Sequence, residues 1–135
     1  MYSREFAKLW GKLSKEMKAH MESELAPNLT EGQLHVLELL LSFEERTKPS
    51  DLIEVLETTP AAVTTLLDRM EKNGLVERVR DEKDRRIVWV HVTDKGRAEC
   101  KRGVNIREEY LNSTLNRISA HNQKLLMYLL DKIAN

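Results

Sequence analysis

Residues 49–93 read PSDLIEVLETTPAAVTTLLDRMEKNGLVERVRDEKDRRIVWVHVT, and the rest of the chain is organised around them. The stretch parses as a short helix, a tight turn, a second helix and a charged β-hairpin. The second helix has the sharpest edges. Thr59 stands at the N-cap, and Pro60 follows at the first helical position, where its missing N–H is harmless. Val63, Leu66, Leu67 and Met70 recur at three- and four-residue spacing and give one apolar face. Asn73-Gly74 then supplies a stop, because glycine tolerates the left-handed conformation that ends helices. The opposite face carries Ala61, Thr64, Thr65 and Asp68, which are small or hydrogen-bonding. Small side chains let a backbone approach a partner closely. A threonine hydroxyl can bond bases or phosphates, and its methyl can meet thymine.

Two strands are expected next, over 75–80 and 87–92, the second rich in β-branched residues with Val88, Val90 and Val92 on one face. The six residues between them, DEKDRR (81–86), contain nothing apolar to bury. A short charge run is more often a solvated turn than a binding site. Directly after a helix-turn-helix pattern, a tip bearing Lys83, Arg85 and Arg86 instead suits a nucleic-acid backbone or a narrow minor groove. The candidate DNA-contacting set is therefore Thr59, Pro60, Ala61, Thr64, Thr65 and Arg69 on the helix, with Lys83, Arg85 and Arg86 on the hairpin.

Working outward, Thr30-Glu31-Gly32-Gln33 has the form of a capping box. Leu34, Val36, Leu37, Leu40 and Leu41 should carry the helix behind it into the core, and Leu52, Ile53, Val55 and Leu56 should anchor the helix opened by Pro49. Residues 3–25 form a first helix with a stripe of Phe6, Trp10, Leu13, Met17 and Met21, beside Leu9, ended by Ala26-Pro27-Asn28. Thr93 caps a long helix whose apolar face runs through Ala98, Val104, Leu111, Leu115 and Ile118; Gly103 within it marks a bend or a close contact. Ser119 restarts the chain into a last helix with Leu125, Leu126, Leu129, Leu130 and Ile133. Apolar stripes at both ends must be covered, either within one chain or by a second copy.

At 135 residues the chain is one domain's worth. Its 22 basic and 22 acidic side chains give zero net charge, which argues against a non-specific polyanion binder but not against a sequence-specific one with locally placed charge. A single cysteine excludes an internal disulfide, and with no signal peptide in view the expected location is the cytoplasm. No stretch reaches the length of a membrane span. His20, His35, His91 and His121 are too scattered for a zinc site, so no metal and no cofactor are expected. Cys100 neighbours Lys101 and Arg102, which favour a thiolate, yet a structural role is the preferred reading. No nucleophile motif, phosphate-cradling glycine loop or carboxylate pair is visible, so the chain is not expected to be an enzyme.

The helix-turn-helix pattern, the LLDRMEKNGLVER run, the D-x-x-D-x-R tip (Asp81, Asp84, Arg86), the V-x-V-T-x-x-G exit (Val90, Val92, Thr93, Gly96) and LTEGQLHVLELL upstream stand in order. Together they resemble the MarR family of bacterial transcription regulators over nearly the whole chain. The resemblance implies an α+β, mostly helical winged helix-turn-helix with about six helices and a two-stranded antiparallel wing. It implies one domain over 1–135, in which 30–93 reads DNA while 1–29 and 94–135 interlock with a second copy. The implied function is sequence-specific binding of duplex DNA by a homodimer, at an inverted repeat, as a ligand-responsive repressor. A small amphipathic effector would then sit between the dimer region and the reading unit, where Trp10, Met17, His20, His35 and Tyr110 are the candidates. The aspartate of the D-R-[LM]-E segment would pair with the arginine that ends the tip, here Asp68 with Arg86, and fix the wing angle. A winged-helix protein-interaction module, or a ligand-binding dimer without DNA activity, are the competing classes.

Overall fold

The computed structural model describes all of residues 1–135. Six helices and one hairpin follow in the order α1 (Ser3–Leu25), α2 (Glu31–Ser42), α3 (Pro49–Leu56), α4 (Pro60–Lys72), β1 (Val76–Arg80), β2 (Val88–Val92), α5 (Asp94–Leu115) and α6 (Ala120–Ala134). The architecture is the mostly helical winged helix-turn-helix expected from the sequence.

Local chemistry sets the helix boundaries. Thr30 Oγ1 accepts the Gln33 N–H at 3.1 Å, while Gln33 Oε1 accepts the Thr30 N–H at 3.2 Å, closing the capping box. Thr59 Oγ1 accepts the Ala62 N–H at 3.2 Å, Thr93 Oγ1 the Gly96 N–H at 3.0 Å, and Ser119 Oγ the Asn122 N–H at 3.1 Å. Gly74 leaves α4 with φ +76°, in the left-handed region where a side chain would be strained. The wing is antiparallel, with Val76 opposite Val92 and Arg80 opposite Val88. A single bridge adds Thr47 to its inner edge, where the Val90 N–H donates to the Thr47 carbonyl at 2.8 Å.

The core is built around α2. Leu34, Val36 and Leu37 meet Met21 and Leu25 of α1, Leu52 of α3, Val63, Leu67 and Met70 of α4, and Leu75 and Val76 at the wing base. α5 lies close against this core because it offers glycine there: a Cβ on Gly103 would stand 2.8 Å from Leu34 Cδ1. Of the two roles open to Gly103, close contact is the one observed. Gly96 is tighter still, since a Cβ there would run into the Leu75 carbonyl oxygen. Arg107 of α5 grips Glu38 of α2 through two bonds of 2.7 Å each. Arg102 donates to the Leu25 and Glu24 carbonyls, satisfying the end of α1.

Several side chains expected in the core are not there. Val55 and Leu41 face outward, because α3 and α2 each bury a narrower stripe than their composition allows. On α5 the covered face runs through Gly96, Cys100 and Gly103, with Val104 half-buried beside it, while Ala98, Leu111 and, past the helix end, Ile118 are exposed: Gly103 lets α5 approach Leu34 of α2 and Gly96 lets it approach the wing base. Phe6, Leu9, Trp10 and Leu13 on the first half of α1 are exposed, and α6 buries no residue at all, leaving Leu125, Leu129, Leu130 and Ile133 open. A single chain therefore does not cover its terminal apolar faces. No helix is long and apolar enough to cross a membrane.

Candidate nucleic-acid interface

α4 presents Ala61, Thr64, Thr65, Asp68 and Arg69 to solvent, with Thr59 and Pro60 exposed at its start. The Thr64 hydroxyl donates to the Pro60 carbonyl at 3.0 Å, so its proton is engaged within the helix. Thr65 and Arg69 have no such partner; with Ala61, Ala62, Thr30 and Gln33 they line a groove between the starts of α2 and α4. This places an uncommitted hydroxyl and an uncommitted guanidinium on the face of a helix that can enter a major groove.

The wing tip is an ordered turn. Asp81 Oδ2 accepts the backbone N–H groups of Lys83 at 3.0 Å and Asp84 at 2.9 Å, and Asp81 Oδ1 accepts the Trp89 indole N–H at 3.0 Å. The indole bond, followed by the Asp84 N–H, holds the Asp81 carboxyl below the usual range. Arg86 is taken up locally: Nε donates to Asp84 Oδ1 at 3.0 Å and Nη2 to Asp84 Oδ2 at 3.1 Å, on a side chain that is 90% exposed. Lys83 and Arg85 project from the turn with their charged groups free of acidic partners, and the Arg85 carbonyl accepts from Arg80 at 2.8 Å.

The expected pairing of Asp68 with Arg86 does not form. Asp68 is paired with Arg78 of β1 at 2.6 Å. Arg78 also donates from Nη2 to Glu71 Oε1 at 2.9 Å, and its backbone N–H donates to Glu71 Oε2 at 2.9 Å. The reason is distance along the hairpin: Arg78 leaves the strand beside α4, whereas Arg86 sits beyond the turn with Asp84 two residues away. The Arg78 bonds, the backbone one foremost, keep the Glu71 carboxyl below its ordinary range. Sequence reading missed Arg78 and Glu71. Strand alternation carried the signal, since Arg78 shares a face with buried Val76, and Asp68 and Glu71 are one turn apart on α4. It missed Arg46 and Trp89 as well: the Arg46 guanidinium stacks 4.3 Å from the Trp89 ring centroid.

The five effector candidates are only partly gathered. His20 and Tyr110 stack with ring centroids 4.5 Å apart and line a shallow cleft between α1 and α5 with Glu24, Ile106, Glu109 and Ser113. Met17 packs half-buried on the core nearby. Trp10 lies two helical turns away, exposed and stacked on Phe6, and His35 is exposed on α2 outside the cleft. Cys100 is buried, and burial first, then Glu38, pushes its thiol pKa up, which opposes thiolate chemistry.

These features define a winged helix-turn-helix protein whose uncommitted hydroxyl and cationic side chains lie on the second helix of the motif and on the wing. The profile of the MarR family matches residues 29–88. The transcriptional regulator HosA of Escherichia coli is 32% identical over 123 residues, covering 91% of this chain and 90% of HosA. The uncharacterized HTH-type transcriptional regulator YwhA of Bacillus subtilis is 29% identical over 84 residues, and that match covers 62% of this chain and 60% of YwhA. The solved structure of a MarR family protein from Bacillus stearothermophilus superposes with a TM-score of 0.82 at 27% identity, over 98% of this chain and 92% of that one. The chain belongs to the MarR family, whose members are DNA-binding transcription regulators and not enzymes.

Proposed function

We propose that this chain is a homodimeric repressor that reads an inverted-repeat operator, inserting α4 into the major groove and laying the wing along the flanking backbone. The observation that carries this reading is the set of donors left free on adjacent elements: Thr65 and Arg69 on α4, Lys83 and Arg85 on the wing. Thr59, Pro60, Ala61, Thr64 and Arg86 complete the contact surface. Zero net charge fits a protein that gains specificity from base contacts and places cations only where phosphates pass.

Residues 30–93 form the reading unit in this account, while 1–29 and 94–135 join the copies. The uncovered faces of α1 and α6 support that division, because apolar patches of this extent are normally buried by a partner. A twofold dimer presents its two reading helices about 34 Å apart, one turn of DNA. An effector in the His20–Tyr110 cleft, at the junction of α1 and α5, would change that spacing and shift the population away from the DNA-competent state. Acting on DNA, the protein would work in the cytoplasm.

Sedimentation combined with anisotropy titration of labelled duplex in a salt series tests the proposal. The full chain should sediment as a dimer, and Leu126→Glu with Leu129→Glu should give monomers or aggregates with weakened duplex binding. Affinity should fall steeply with salt, by about 0.9 logarithmic units per phosphate contact per tenfold change. A monomeric wild-type chain, or binding indifferent to salt, would overturn it.

A further inference from the structure

Arg46 belongs neither to the helix-turn-helix nor to the wing. It lies in the loop that joins α2 to α3, yet it is the residue through which that loop holds the wing. Its guanidinium covers the Trp89 ring at 4.3 Å from the centroid. The next residue, Thr47, accepts the N–H of Val90 at 2.8 Å, so two consecutive loop residues engage two consecutive residues of β2, one by stacking and one through the backbone. From the same ring the indole N–H donates to Asp81 Oδ1 at 3.0 Å. The other oxygen of the same carboxylate caps the turn by accepting from Lys83 and Asp84. A continuous line of contacts thus runs from the end of α2 through Arg46, Trp89 and Asp81 to the backbone that carries Lys83 and Arg85.

We propose that Arg46, acting through Trp89 and Asp81, is a positioning residue for DNA binding that sets where the wing tip stands relative to α4. This deepens the reading of the chain as a duplex-DNA binder and rests on it. A two-stranded ribbon has little stiffness of its own, and its tip has no apolar contact with the core. The tip can hold a fixed place only through its base, which is tied to the body of the protein by Arg78, joining β1 to α4, and by Thr47 and Arg46, joining β2 to the α2–α3 loop. Of these, the Arg46 tie alone continues to the turn, because Asp81 shares its carboxylate between the indole and the turn amides.

A cation over a tryptophan face at a solvent-exposed site is a modest interaction, so removing it should weaken each wing contact about three- to fivefold. Two wings on one operator would multiply that loss to about tenfold or more.

The test compares the full-length wild type with Arg46→Ala, Arg46→Lys and Trp89→Phe, using as probe the inverted-repeat duplex that the wild type selects from random sequences, with each base pair varied in turn. For Arg46→Ala the expected result is a roughly tenfold loss that flattens preference at the outer pairs lying under the wing, with the inner pairs read by α4 unchanged. Arg46→Lys should recover part of the loss, and Trp89→Phe, which keeps a ring for the cation but has no N–H for Asp81, should fall between. In the free protein the Trp89 indole N–H resonance, identified by its disappearance in Trp89→Phe, should move in Arg46→Ala and lie near the wild-type position in Arg46→Lys. Wild-type binding by Arg46→Ala overturns the inference, as does a loss spread evenly over all positions that tracks a lower melting temperature and is not relieved by lysine. Failure of the wild type to select any duplex is a different result: it removes the DNA-binding reading itself, and this inference with it.

Discussion

Removing Arg78 tests how the reading helix and the wing are joined. The side chain is 27% exposed and holds two carboxylates at once, Asp68 at 2.6 Å and Glu71 at 2.9 Å. In Arg78→Ala both carboxylates remain, side by side on α4, with no counter-charge, on a helix that the proposed function puts against DNA. The cluster goes from one net negative charge to two, and at roughly 10 Å in water that one added charge would weaken binding to the nearest phosphate by about twofold, and less as salt rises. Adding some loss of wing placement, binding should weaken about three- to fivefold at low salt. Thermal stability should change modestly, because both acidic partners are more than a third exposed and solvent screens such pairs. Asp68→Ala behaves differently. Were Asp68 the partner of Arg86, its loss would release the wing and weaken binding. Because Arg78 keeps Glu71, Asp68→Ala should instead be neutral or about twofold tighter, having lost one negative charge on the DNA side. The double variant should therefore bind more tightly than Arg78→Ala alone. Anisotropy titrations of all four proteins on one duplex, over a range of salt, measure this cycle. A double variant no tighter than Arg78→Ala, or an Arg78→Ala that binds like the wild type, would refute the reasoning.

Thr65→Ala should relax base preference in the half-site by about 1 kcal/mol or more, and Thr64→Ala by less because the Thr64 proton is already given to Pro60; binding to single-base variants of the operator measures both. Gly103→Ala should destabilise the fold by about 1–3 kcal/mol through overpacking against Leu34. Gly96→Ala should be worse, since its Cβ meets backbone and not a movable side-chain tip; chemical denaturation ranks the pair. Glu38 has its pKa lowered chiefly by the hydrogen bonds from Arg107. The stability it supplies is present above its unfolded value of about 4.3 and is lost as pH falls through the lower folded value. Glu38→Gln should therefore be less stable than the wild type at neutral pH, with the difference narrowing under acid; equal melting curves at both pH values would count against it.

The elements that sequence reading placed well are those whose signals are local. Thr30, Thr59, Thr93 and Ser119 each bond an amide three residues on, so a short window contains the cap and its reason. The features it missed join residues distant in sequence or depend on a strand face. The pairing of Asp68 with Arg86 is what the family resemblance implies, whereas the pair that forms, Asp68 with Arg78, is signalled only by the alternation of β1 beside α4. Arg46 gave no signal at all, since nothing in Glu44-Glu45-Arg46-Thr47 indicates that its neighbour bridges to Val90 or that an indole lies beneath it. Leucine-rich faces on α1 and α6 were legible as apolar, but only the structure tells which of them a single chain leaves open. His20 and Tyr110 meet because α1 and α5 pack together, a contact that helix periodicity does not encode.

Selection of bound sequences from a pool of random duplexes, with the full-length protein at physiological salt, bears most directly on what this chain does. The expected product is an inverted repeat whose half-site centres lie about 10 base pairs apart, one helical turn, bound far more tightly than unselected DNA. A pool that emerges without an enriched motif, or with a single unpaired half-site, would contradict a dimer that reads DNA through α4 and the wing.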